Sequence, residues 1–573
     1  MAWPYQFIDL DEAQRQARRH ALDRYGLIAQ LSTLVPVALF LLYRLVAWGI
    51  SRATGSGRGT YAAVPDSPSL KRQRLSVVGS WSTVARKVAW WFGDDVVFLG
   101  WNWGPRDQII AGAVWTIWLL VLCVVNTGND YLHLTRRFGI VGVSQFPVQY
   151  LISLKSLNPI ALALKSSHEE VNRWHRVLGR IIGIFLTLHA AFYFNFYYQN
   201  NLLGQKITSL VPVIGFTLIT AMYLLYGTAL SVVRQYSYRI FFITHLLVAL
   251  ALPPAIYFHA HHASFYVWES LIVFIVDIAV RRFEIIIADT QVELIPGTDL
   301  IKLVGNIPKG KIDRFAKNPG THVYLSIPSS SRPHKNPIAA ANLVFEFSFN
   351  PFSVAEVDEN SRRLTLVARR HGGPMTRAFA KFASNTDTDI KVKLAFDGPY
   401  GSAKRFPNLA STEFDRILLV AGGVGATFTL PLYRWILAEN PGARAQMVWA
   451  VRGAGDATWP EGKSIMDDDN IKLFLTGDIL ENADNIRLSD DSEDVELARL
   501  SNGRQQTNQP SAHSDKRPNL QAIVDDVFRQ GFEERVAVLV CGPDAMAREL
   551  RSHVGVWVRK GRYVWWHNES FAW

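Results

Sequence analysis

Two cysteines, Cys123 inside an apolar run and Cys541 far downstream, are all that 573 residues contain. Neither a disulfide scaffold nor a cysteine metal site is therefore available, and any redox chemistry must rest on other ligands. Acidic residues are in the minority, 49 against 60 Lys and Arg, for a net charge of +11. The basic residues nevertheless sit beside apolar runs and form no single basic, aromatic-interleaved domain, which argues against nucleic acid as a partner. No removable leader is expected either: the first apolar run follows Asp-, Glu- and Arg-rich sequence without an obvious small-residue cleavage site, so it is expected to be retained. What the chain has in quantity is hydrophobic residues, 49% of the total, with 18 Trp, 19 Tyr and 32 Phe. It is too long for one ordinary domain, and part of it belongs in lipid.

Apolar stretches able to cross roughly 30 Å of hydrocarbon lie near residues 27–49, 108–126, 171–195, 208–229, 240–260 and 264–280. A seventh stretch, about 139–164, carries Lys155, Pro147 and Pro159 and reads either as a span or as a broken or interfacial helix. Positive-inside counting puts the 50–107 loop, with Arg52, Lys71, Arg86 and Arg106 among its cations, and the Arg234/Arg239 loop in the cytosol. Seven spans then place the C-terminal half in the cytosol too, with Arg136, Arg137 and the Arg-rich first 24 residues outside; a six-span arrangement is the alternative. From Arg281 the texture turns to β-branched runs, glycine turns and mixed charge. Residues 283–405 read as a small antiparallel barrel and 413–573 as an alternating α/β domain, interrupted at about 481–518 by a polar insertion without periodicity.

Within the apolar half, His175 and His189 are 14 residues apart in WHRVLGRIIGIFLTLHA, and His245 and His259 repeat the spacing in THLLVALALPPAIYFHA. On a helix this gives about 21 Å of rise and roughly 40° of rotation, so both rings leave nearly the same face. Two such helices side by side make two bis-histidine pairs, His175 with His245 on the cytosolic side and His189 with His259 outside. Iron porphyrin suits them, because imidazole is a strong axial ligand and six-coordinate iron exchanges single electrons without an open site. His168 lies about 31 Å from His189, and His261 about 160° around the helix from His245, so both fit poorly. A lone intramembrane histidine more often hydrogen-bonds a neighbouring helix; four at a repeated spacing favour function. Arg173, Arg176 and Arg180 flank the inner pair, where propionate contact and ordinary positive-inside anchoring fit equally.

In the soluble half a strand-like ILLVA runs into Gly422-Gly423-Val424-Gly425-Ala426-Thr427 and then a helix-like segment. Such a turn lets backbone amides approach a pyrophosphate, although it is not a regular GxGxxG. FDGPYG (396–401) precedes it, and Cys541-Gly542-Pro543-Asp544 follows a second apolar strand.

The ladder, the glycine turn, the CGP motif and the terminal ESFAW together resemble the ferric reductase and NADPH oxidase superfamily, in its fungal metalloreductase branch, over about residues 107–573. The resemblance implies a six-helix membrane domain holding two b-type haems (107–282), a ferredoxin-reductase-like FAD-binding barrel (283–405) and a nicotinamide-binding α/β domain (413–573). Residues 1–106 form an extra element with one span. The family's flavin motif corresponds to Asn350-Pro351-Phe352-Ser353, departing at Asn350 and Ser353, which keep hydrogen-bonding capacity. Arg370, Gly372, Gly373 and Thr376 resemble the group that grips the FAD pyrophosphate. Gly422, Gly423, Gly425, Ala426 and Thr427 are expected to hold the nicotinamide cofactor's pyrophosphate, with Cys541, Gly542 and Pro543 near its ring. Arg452 and Arg517 resemble arginines that bind a 2′-phosphate, favouring NADPH, and Phe571 and Trp573 resemble aromatics that shield the flavin. The implied route runs from cytosolic NADPH through FAD, the inner haem and the outer haem to ferric chelates, or cupric ions, outside. The family's default location is the plasma membrane, although a vacuolar or endoplasmic-reticulum membrane would give the same hydropathy pattern. The nearest rival is an NADPH oxidase passing electrons to oxygen; a second is a haem-binding transporter or scaffold with an inactive reductase tail. No outer metal-binding cluster is evident, with His261 and His262 the only candidate contacts for an acceptor.

Overall fold

The computed structural model describes residues 4–53, 77–332, 345, 349–384, 391–461, 465–477, 513–514, 517–531 and 533–570. The chain divides into two compact units, one holding residues 1–58 and 92–283, the other 59–91 and 284–572.

Among the described residues of the first unit, six helical stretches are long and apolar enough to cross a membrane. The first is α1 (Glu12–Ser32) continued by α2 (Leu34–Ala53). The others contain α4 (Arg106–Val124), α7 (His168–Gln199), α8 (Leu210–Thr228), α9 (Tyr238–His259) and α10 (Ser264–Glu284). Side chains that satisfy free amides set several starts. Asp11 with Gln14, and Ser167 with Glu170, form capping boxes at α1 and α7, and Ser237 caps α9.

The doubtful 139–164 stretch holds a broken helix of different extent, α5 (Tyr131–Val143) followed by α6 (Phe146–Leu151). Tyr131 stacks on Phe192 near the C-terminal end of α7, whereas Gln149 touches His175 near its N-terminal end, so the segment runs antiparallel to α7. The break falls on buried Ser144 and Gln145. Neighbouring groups satisfy it: Gln145 donates to the Ala29 carbonyl at 3.1 Å and accepts from the Trp115 indole at 3.2 Å. Irregular backbone at membrane depth is tolerated where protein surrounds it in this way. The break also explains why hydropathy alone displaced the segment toward 164. The Asp107–Arg173 ion pair, 2.9 Å long, sets the starts of α4 and α7 side by side.

The second unit holds a closed six-stranded barrel of β3 (Ile286–Leu294), β4 (Leu300–Asn306), β5 (His322–Ser326), β6 (Asn350–Asp358), β7 (Arg363–Arg369) and β8 (Val392–Tyr400), in the order β3-β4-β7-β6-β5-β8. All its pairings are antiparallel, and α11 (Pro374–Ala383) packs against β3 and β4. A six-stranded sheet follows, made of β9 (Arg416–Gly422), β10 (Ala445–Val451), β11 (Ile471–Leu475), β12 (His513–Ser514), β13 (Arg535–Cys541) and β14 (Tyr563–Glu569). Its order is β12-β11-β10-β9-β13-β14, and every pairing is parallel. Helices α12 (Ala426–Glu439), α13 (Leu520–Arg529) and α14 (Asp544–Arg559) cover the sheet, whose central strands are mostly buried apolar runs. A helical membrane domain is thus fused to a flavin-type barrel and a nicotinamide-type α/β domain. Most of the polar insertion lies outside the described residues.

One element was hidden in the basic loop. Helix α3 (Val77–Phe92) packs on the α/β domain: Trp90 meets Trp566 edge-on at 5.8 Å, and the guanidinium of Arg551 lies 4.2 Å from the centre of a Trp90 ring.

Candidate functional site

The four ladder histidines pair as their spacing predicts. His175 faces His245 with ring centroids 6.0 Å apart, and His189 faces His259 at 6.3 Å. Such separations accommodate one metal at roughly 2 Å from a nitrogen of each ring. Three of the imidazoles are held from behind by main-chain carbonyls: His175 Nδ1 by Gln149 at 2.9 Å, His189 Nδ1 by Thr135 at 2.8 Å, and His259 Nδ1 by Val211 at 2.9 Å. A carbonyl can only accept, so Nδ1 carries the proton and Nε2 keeps the lone pair that a metal needs. Gln149 also places its amide nitrogen 3.3 Å from His175 Nε2.

The His189–His259 pair opens on a cavity of about 1070 Å³, lined by His189, His259, Arg136, Arg19, Gly139 and Gly215 among others. That volume is at the upper end for ligand sites. Both glycines are dictated by the rings: a Cβ on Gly139 would lie 2.7 Å from His189 Nδ1, and one on Gly215 2.7 Å from His259 Cε1. The donor set, the pinned tautomers and a cavity that larger residues would fill all fit a planar iron porphyrin. His168 is engaged with Glu169 at 3.1 Å, in keeping with its exclusion, whereas His261 and His262 line the cavity without belonging to either pair. Helix α1 contributes to the wall through Arg19, Leu22 and Asp23, a role that the apolar pattern concealed.

In the barrel, Asn350-Pro351-Phe352-Ser353 opens β6 and pairs with β5, setting Pro351 opposite Tyr324 and Ser353 opposite His322. Ser353 is buried and Asn350 exposed. Thr376 closes the RHGGPMT turn by donating to the His371 carbonyl at 2.7 Å, with Gly372 and Gly373 leading into α11. Arg370 makes an exposed ion pair with Asp299 at 2.8 Å. The neighbouring Arg369 reaches the glycine turn of the next domain, its Nη2 3.7 Å from where a Cβ on Gly423 would stand.

Parallel pairing brings the C-terminal ends of β9, β10 and β13 to one sheet edge, where α/β folds bind ligands. Gly422 ends β9 and Cys541 ends β13, and the two motifs touch: a Cβ on Gly422 would meet Pro543 Cδ at 2.7 Å, and one on Gly425 the Cys541 carbonyl oxygen at 2.1 Å. Gly423 has φ +54° and its carbonyl accepts from the Trp449 indole, fixing the turn ahead of Ala426 and Thr427 at the start of α12. Burial, and after it the Glu569 carboxylate, push the Cys541 thiol well above its usual range, so it remains protonated at neutral pH. Arg452, just past β10, and Arg517, three residues past β12, are both exposed at the ends of their strands. Glu569, missed from the sequence, ends β14 opposite Cys541 and accepts from Ser402 at 3.1 Å, with His567 Nε2 2.7 Å away. Its place in the terminal ESFAW was the available signal. Phe571 and Trp573 lie outside the described residues.

Comparison with known proteins meets this geometry region by region. The model of the ferric reductase like transmembrane component matches residues 138–256, an FAD-binding domain matches 285–404, and the ferric reductase NAD binding domain matches 414–555. The chain is 25% identical to ferric/cupric reductase transmembrane component 2 of Schizosaccharomyces pombe, over 76% of this chain and 80% of that protein. It is 23% identical to ferric reductase transmembrane component 1 of the same yeast, over 75% and 78%. A probable metalloreductase of Scheffersomyces stipitis is 20% identical over 86% and 90%. With the membrane helices, the flavin-type barrel and the nicotinamide-type sheet matched in chain order, this protein belongs to the ferric reductase superfamily, in its fungal metalloreductase branch.

Proposed function

We propose that this chain is a transmembrane metalloreductase, located in the plasma membrane, that takes electrons from cytosolic NADPH and delivers them to ferric chelates, and to cupric ions, on the opposite face. The observation that carries the reading is the pair of facing histidines at each of two levels, 6.0 and 6.3 Å between ring centroids, with three Nδ1 atoms tied to carbonyls. His175 with His245 and His189 with His259 would hold two b-type haems. Pro351, Ser353 and Thr376 would contact FAD, and Gly422 to Thr427 with Cys541 to Pro543 would receive NADPH. When bound, a flavin exchanges a hydride's electron pair for single electrons, and bis-imidazole haem iron carries them one at a time.

The residues themselves supply orientation and insulation. The Thr135, Gln149 and Val211 carbonyls hold the Nδ1 proton of three rings and fix their planes, leaving Nε2 as the atom with the lone pair. Gly139 and Gly215 let the backbones of α5 and α8 close against the outer pair. Arg19 and Arg136 put positive charge on the outer cavity, where carboxylate-bearing groups are favoured.

The test is ferric-chelate reduction by NADPH in membranes bearing the protein, with and without superoxide dismutase. Activity indifferent to dismutase is expected. Complete loss with dismutase would make the chain an oxidase that reduces iron only through superoxide, and absence of any NADPH-dependent change in the haem absorption bands would make it a scaffold.

A further inference from the structure

Two apolar patches lie in the stretch just before the Arg106 span and are not used by either candidate site. The first is the hairpin of β1 (Asp95–Phe98) and β2 (Trp101–Pro105). Its turn places Leu99 at φ +53° and Gly100 at φ +77°. Two consecutive left-handed residues normally call for Asn, Asp or Gly, and a leucine there is strained. Leu99 is also 81% exposed, flanked by Phe98 at 61% and Trp103 at 62%. Strain and apolar exposure together at a hairpin tip require a compensating partner.

The second patch is on α3. Trp81, Val84, Val88 and Trp91 fall at i, i+3, i+7 and i+10, one stripe of the helix, and all four are exposed. The helix is not loosely placed, because another face is committed to the α/β domain: Trp90 packs on Trp566, and Arg86 lies 5.3 Å above the Tyr563 ring. Two residues, Gly93 and Asp94, join α3 to the hairpin.

Chain continuity identifies the occupant. Arg106, the first residue of the α4 span, directly follows β2, and its amide bonds the Asp94 carbonyl at 3.0 Å. The hairpin is therefore fastened to the point where a membrane helix begins. Tryptophan rings belong at the headgroup level, and an amphipathic helix with Trp on its apolar face and cations beside it lies in that plane.

We propose that residues 77–105 form an interfacial anchor: the Leu99 hairpin tip and the Trp81–Trp91 stripe insert into the leaflet on the side of the soluble domains.

Both native cysteines are buried, so single-site labelling of the full chain is available. Leu99→Cys, Val88→Cys and, as a water-exposed reference in the α/β domain, Thr412→Cys would carry an environment-sensitive nitrobenzoxadiazole label. The protein would be reconstituted in phosphatidylcholine vesicles containing doxyl-labelled lipid. Expected are blue-shifted emission and quenching by doxyl lipid about threefold stronger at positions 99 and 88 than at 412, with protection from aqueous iodide. Iodide quenching equal to that at 412 would overturn the proposal by showing both patches in water. Protection from iodide and doxyl alike would overturn it in favour of a protein partner. Two labelled positions on separate patches, each read against retained flavin fluorescence, keep a local folding failure from imitating either result.

Discussion

A single methyl group separates a usable ligand from a displaced one at Gly139. Gly139→Ala would drive a Cβ into His189, at 2.7 Å from Nδ1, and break its bond to the Thr135 carbonyl. Haem bound per chain should fall by up to half while NADPH still reduces the flavin. Gly227→Ala is the matched control, because nothing lies within 4 Å of its Cβ position; pyridine haemochrome titration reads both. The double substitution His189→Ala with His259→Ala should remove the outer haem entirely and abolish external ferric reduction, leaving the inner pair's spectrum in place. An unchanged spectrum would assign the bands to other ligands.

At the scale of elements, α1 is the addition that the family match, beginning at residue 138, leaves aside. It is bolted to the bundle by polar contacts that are costly to break away from water. Arg18 pairs with Asp130 at 2.9 Å, and Asp130 in turn caps α5 at the His133 amide. Arg137 is fully buried, donates to the Leu122 carbonyl at 2.9 Å, and lies 3.8 Å over the Tyr25 ring of α1. Tyr25→Ala removes that cover from a buried cation and should cost roughly 2 kcal/mol. Tyr25→Phe keeps the ring, loses the hydroxyl that accepts from Asn126 and also meets Arg137, and should cost about 1 kcal/mol. Thermal unfolding in detergent separates the two; equal losses would mean that the ring gives Arg137 no protection.

For the molecule as a whole, the proposed preference for NADPH rests on the two exposed arginines near the ends of β10 and the short β12. Arg452→Ala and Arg517→Ala should each raise KM for NADPH about tenfold, equivalent to roughly 1.4 kcal/mol for one charge-assisted contact, with KM for NADH unchanged. A parallel rise for both cofactors would place these residues away from a 2′-phosphate. Much of this organisation was legible in advance. Six apolar spans, a barrel before an α/β sheet and the pairing of four histidines all emerge from periodicity, because hydrophobic phase and helical spacing are properties of neighbouring residues. Contacts between residues distant in sequence were not legible in this way: nothing local announces that Arg370 pairs with Asp299 or that Arg369 beside it reaches the glycine turn. Helix α3 was concealed in a loop whose charges drew attention away from its apolar stripe.

Residues 14 apart on a helix share a face whatever surrounds them, so the sequence by itself determined that each histidine helix presents two rings at two depths. Which nitrogen faces inward was decided, at three of the four rings, only by the tertiary structure. The carbonyls that settle it stand 26, 54 and 48 residues from His175, His189 and His259. Nothing local encodes an acceptor so remote, and the glycines that admit those rings acquire their meaning only when the helices pack.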